Sequence, residues 1–65
     1  MNMDQIKGQW TQLVGKAREE WGELTENEVQ EAHGERDQLV GKIQEKYGKT
    51  REEAEREFDE WVAQL

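Results

Sequence analysis

The chain has 65 residues, of which 16 are acidic and 9 basic, giving a formal charge of −7 with a mean hydropathy of −1.26. Leu, Ile, Val and Phe together number only 11, as in disordered chains, but the absence of Pro and Ser and the presence of three Trp fit a disordered tail poorly. The absence of Cys excludes disulfides and thiolate metal sites, and the apolar runs are far too short to cross a membrane.

The opening residues, MNMDQIKGQW, lack the apolar stretch of a signal peptide, so the expected address is cytoplasmic. Ile6, Trp10, Leu13, Val14, Ala17 and Trp21 then recur at i, i+4, i+7, i+8, i+11 and i+15, one face of a first helix. Gly22 is placed to end that helix as a left-handed C-cap. Thr25-x-x-Glu28 reads as a capping box opening a second helix, with Leu24 and Val29 at the staple positions. This helix is short and poor in apolar residues, offering Val29, Ala32 and His33, and is expected to stop at Gly34. A third helix carries Leu39, Val40, Ile43 and Tyr47 and closes at Gly48. Thr50-x-x-Glu53 is a second capping box, opening a fourth helix with Ala54, Phe58, Trp61, Val62 and Leu65. No segment alternates with period two and no Asn-Gly or Asp-Gly pair occurs, so strands are not expected.

The elements come from a repeat. Gly falls at 8, 15 and 22 and again at 34, 41 and 48, and aligning GQWTQLVGKAREEWG (8–22) with GERDQLVGKIQEKYG (34–48) makes eight of fifteen positions identical. The expected fold is therefore all-α: one domain over residues 1–65, with four short helices forming two similar hairpins whose apolar stripes bury against each other. Its core is expected from Trp10, Leu13, Val14, Trp21, Leu39, Val40, Ile43, Tyr47, Phe58 and Trp61. An exposed aromatic groove for a partner is the alternative reading of the aromatics. Charge follows the same boundaries: residues 1–18 carry +2, 19–35 carry −7, 36–51 carry +3 and 52–65 carry −5. Attraction between basic and acidic helices accounts for that alternation, together with carboxylates at helix starts and lysines at helix ends.

Gly15 and Gly41 interrupt this pattern, since a helix-interior Gly costs about 1 kcal/mol relative to Ala. Close approach by another backbone, deliberate lability, or tolerance after duplication each explain them. A search for chemistry finds one His and no Cys or Ser, and hence no catalytic residues, cofactor site or metal site. His33 is placed to cap carbonyls at the end of the second helix. The carboxylates Glu52, Glu53, Glu55, Glu57, Asp59 and Glu60 read as a solvated helix face, with weak cation binding as the lesser alternative. Lys42, Lys46 and Lys49, with Arg36 and Arg51 nearby, form a basic strip, but the net charge of −7 and the neighbouring glutamates oppose phosphate binding. No cofactor is implied. Gly15, Gly41 and the three lysines remain candidates for contact with a protein partner, on what is expected to be a monomer.

The Gly-Lys blocks at 15–16 and 41–42, Trp21-Gly22, Leu24-Thr25, the run RDQLVGKIQEKYG and the closing helix with Trp61 resemble the CsbD-like family of small bacterial general-stress proteins. The resemblance spans essentially the whole chain. It implies stress-controlled expression, no established enzymatic activity, and a small four-helix domain of two orthogonally packed hairpins similar to the SAM-domain arrangement. The resemblance brings no catalytic residues with it.

Overall fold

In the computed structural model, which describes residues 2–65, five helices follow one another: α1 (Met3–Gly8), α2 (Trp10–Glu20), α3 (Glu26–Glu31), α4 (Arg36–Tyr47) and α5 (Arg51–Gln64). All are helices, with no strand among the described residues. The count of four needs correction, because the expected first helix breaks at Gln9, where φ is −111° and ψ is 14°. The Gln9 N–H still donates to the carbonyls of Gln5 at 3.0 Å and Ile6 at 3.3 Å. The backbone ladder is thus bent instead of cut, and the i, i+4 spacing of Ile6 and Trp10 runs through the bend without a sign of it. Gly8, a weak helix former, immediately precedes the departure. In the repeat Gln9 aligns with Glu35, and each is the N-cap of the helix that follows, without a side-chain capping bond. The bend is the first half's counterpart of the α3–α4 turn.

Two further endings differ from expectation. α3 stops at Glu31, before Gly34, and the chain turns through Ala32, His33 and Gly34, with His33 and Gly34 both left-handed at φ 52° and 75°. Gly22 is not left-handed: the C-cap of α2 is Trp21, and the Leu24 N–H donates to the Trp21 carbonyl at 3.0 Å. The cause lies in the length of the connection. Three residues separate Trp21 from Thr25, whereas Gly48 and Lys49 alone separate Tyr47 from Thr50. The extra residue lets an ordinary turn replace the left-handed cap and carries Leu24 into the interior, 1% exposed. Gly48, on the shorter connection, is left-handed at φ 63° and caps α4.

α2 packs on α3 and on α1, and α4 packs on α5. Ile6, Trp10, Leu13, Val14, Ala17, Trp21, Leu24, Val29 and Ala32 from the first half meet Leu39, Val40, Ile43, Ala54, Phe58 and Trp61 from the second in one buried cluster. Tyr47 is half-buried at its margin. Trp61 is the hub: its ring lies 5.2 Å from Trp21, 5.9 Å from Phe58 and 6.2 Å from Trp10, the two Trp contacts being edge-on. Large aromatic rings gather apolar area that so short a chain cannot otherwise supply. Two of the three indole N–H groups find partners inside the protein. Trp10 Nε1 donates to the Val29 carbonyl at 2.7 Å and Trp21 Nε1 to Glu57 Oε1 at 3.2 Å.

Candidate interaction surface

The caps define where the charged side chains stand. Glu28 N–H donates to Thr25 Oγ1 at 3.1 Å, while Thr25 N–H donates to Glu28 Oε1 at 3.0 Å. Thr50 and Glu53 repeat the arrangement at 3.1 and 2.9 Å. Each box satisfies two backbone donors that a helix start leaves free. The bond from the Thr25 backbone N–H holds the Glu28 carboxyl below its ordinary range, with Lys46 adding to the effect, and the Thr50 backbone N–H does the same to Glu53.

The lysine strip faces glutamates of the same chain. Lys42 Nζ lies 3.4 Å from Glu31 and Lys46 Nζ 3.2 Å from Glu28, both on α3, and Lys49 is paired with Glu57 on α5. Lys49 also stands over the ring of Tyr47 at 5.6 Å. A phosphate approaching the strip has to displace these carboxylates. The two arginines beside it join α4 to α5. Arg36 donates through Nε and Nη2 to both oxygens of Asp59, at 3.1 and 3.0 Å, and through Nη1 to Glu55 at 2.9 Å. These hydrogen bonds, Asp59 first, raise the Arg36 pKa above its ordinary value. Arg51 donates to Asp37 at 2.9 Å. Of the six α5 carboxylates read as a solvated face, Glu55, Glu57 and Asp59 bind basic side chains and Glu53 binds its own helix start. No group of three or more His, Asp or Glu side chains arranged to hold a metal occurs among the described residues.

Gly15 is exposed and Gly41 half-exposed, and a Cβ added at either meets nothing within 4 Å. Close backbone approach within the chain therefore accounts for neither. Gly34 is different: a Cβ there would stand 2.9 Å from the Lys7 Cα, on a left-handed backbone. His33, read as a carbonyl cap at the end of the second helix and as an optional member of its apolar side, lies in the left-handed turn after α3 and is exposed. It lines a groove of about 450 Å³ with Lys7, Trp10, Thr11, Val14 and Gln30.

Several contacts escaped the sequence reading. Asn2 and Gln5 form a third capping box, and its Asn-x-x-Gln pattern could have announced it. The Tyr47 hydroxyl accepts a hydrogen bond from the Glu23 N–H at 3.0 Å and ties the first loop to the second repeat. Nothing in the local sequence signals that bond.

A family model described as CsbD-like matches residues 4–56. A UPF0337 protein of Pseudomonas aeruginosa is 49% identical over 65 residues, covering the whole of both chains. UPF0337 protein YjbJ of Escherichia coli K12 is 49% identical over 61 residues, 94% of this chain and 88% of the relative. A UPF0337 protein of Pectobacterium atrosepticum is 52% identical over the same shares.

Proposed function

The chain belongs to the CsbD-like family, and from that premise we propose that it is a non-enzymatic, cytoplasmic bacterial stress-response protein that protects other macromolecules by its hydrated surface. One observation carries the reading: the large aromatic and aliphatic side chains are drawn inward while the charged side chains stay outside, none of them buried. Such a surface holds water and presents few apolar atoms to a labile neighbour. The proposal includes the finer architecture, two roughly orthogonal hairpins in a SAM-domain-like bundle, which the pairing of α2 with α3 and of α4 with α5 supports. It is tested by freezing and drying a labile enzyme with the protein at modest excess, beside an unrelated helical domain of equal net charge. Activity retained above that control is the expected result; equal loss in both removes the proposal.

The open space above Gly15 and Gly41 favours a second reading, a small interaction module docking a protein partner through the α2 and α4 faces. Pull-down from stressed cells with Gly15→Ala and Gly41→Ala distinguishes the two, because docking through close approach requires the glycines and surface hydration does not. Nucleic-acid binding through Lys42, Lys46 and Lys49 is the weakest reading, given their glutamate partners. It requires a salt-dependent mobility shift that Lys42→Glu with Lys46→Glu abolishes.

A further inference from the structure

We propose that residues 24–34 form an electrostatically latched flap, which opens from the core while α4 and α5 remain folded. The flap contains α3, whose six residues fall well below the roughly 12–15 at which an isolated helix begins to hold itself in water. Its apolar anchorage is Leu24, Val29 and Ala32, whereas α5 spans 14 residues and anchors through Ala54, Phe58 and Trp61.

Three lysines from outside the flap hold it down at its carboxylates and at the residue that follows. Lys46 meets Glu28 at 3.2 Å, Lys42 meets Glu31 at 3.4 Å, and Lys7 of α1 meets Glu35 at 3.0 Å. Residues 19–35 hold seven glutamates and no Lys or Arg, so nothing inside the segment replaces those cations. The Lys46–Glu28 pair is the most sheltered of the three. Its side chains are 39% and 27% exposed, against 45% and 53% for Lys7 and Glu35, and partial exclusion of water strengthens an ion pair relative to one standing free in solvent.

Both ends of the segment are anchored to the rest of the chain, which leaves the stretch between them to move as a unit. At one end the Glu23 N–H is held by the Tyr47 hydroxyl. At the other, His33 and Gly34 are left-handed, and Gly34 abuts the Lys7 backbone. Opening between them breaks the bond from Trp10 Nε1 to the Val29 carbonyl and widens the groove lined by Trp10, Val14 and Gln30. Trp10 keeps its edge contact with Trp61, so the rest of the core has no need to follow. Partial openings of this kind expose less surface than unfolding and respond less steeply to denaturant.

Amide exchange followed by NMR on the full chain at pH 7, in rising urea below the unfolding transition, tests the proposal. Val29, Ala32 and the Trp10 indole N–H are expected to exchange faster than Ala54 to Trp61, and with a smaller urea slope. Lys42→Gln with Lys46→Gln should accelerate the flap by between about two- and thirtyfold, the range of two weak ion pairs. Lys16→Gln, at a lysine with no ion pair among the described residues, should leave it unchanged. One common rate and slope for flap and α5 overturns the proposal. So does a flap indifferent to the double substitution, or one that Lys16→Gln accelerates equally.

Discussion

Gly15 and Gly41 carry the same residue type as Gly34 and Gly48 but answer to different physics. In α2 and α4 a methyl group meets open space, so Gly15→Ala and Gly41→Ala should each raise stability by about 1 kcal/mol, the difference in helix preference. Urea denaturation measures it. Gly34 and Gly48 are both left-handed, at 75° and 63°, but only Gly34 has a neighbour in the way. Gly48→Ala should therefore lose about 1 kcal/mol for its backbone alone. Gly34→Ala should lose more, because the Lys7 backbone must also move. Equal losses would show that the contact with α1 contributes nothing. The sevenfold glycine spacing revealed the repeat but not these roles, since the φ of Gly34 and its contact with α1 arise only when distant segments meet.

At the scale of elements, the starts of α3 and α5 were legible because a capping box is a local device, readable from two residues three apart. The helix ends and the bend at Gln9 were less so. The bend leaves the Ile6 to Trp10 spacing intact, and the turn after Trp21 depends on one additional residue and on Leu24 finding the core. Of the candidate surface, the lysines could be named but not their partners, because the contacts to Glu31, Glu28 and Glu57 depend on how successive helices fold back on one another. Removing Thr25 or Thr50 with Ala should lower stability by about 0.5–2 kcal/mol each. Thr25→Ala should also loosen α3 selectively, seen as faster exchange at Val29. The boxes make the fold acid-sensitive. Glu28 and Glu53 have folded-state pKa values below their ordinary 4.5, so the unfolded chain takes up protons first as pH falls. Their contribution is complete above that ordinary value and disappears as pH drops through the folded values. Thermal midpoints from pH 7 to pH 3 should therefore fall, and fall less in Glu28→Gln, whose amide can still close the box.

For the molecule as a whole, the alternating charge of +2, −7, +3 and −5 becomes a set of contacts in which Lys46, Lys42, Lys49 and Arg36 bind acidic neighbours on α3 and α5. The interior depends on few residues. Trp61 touches Trp10, Trp21 and Phe58, and truncating a buried Trp to Ala costs about 3–5 kcal/mol. A core of this size supplies about as much in total, so Trp61→Ala should abolish the cooperative transition in circular dichroism. A fold that rests on one aromatic hub leaves the outer faces of α2 and α4 unneeded for packing, which is what a protective surface requires. The most direct test compares wild-type protein with the double variant Gly15→Ala, Gly41→Ala in protecting a labile enzyme through drying. Protection by surface hydration predicts equal retained activity from both, above that of an unrelated helical domain of equal charge. Retention no better than that domain, or retention lost on adding the two methyl groups, contradicts it.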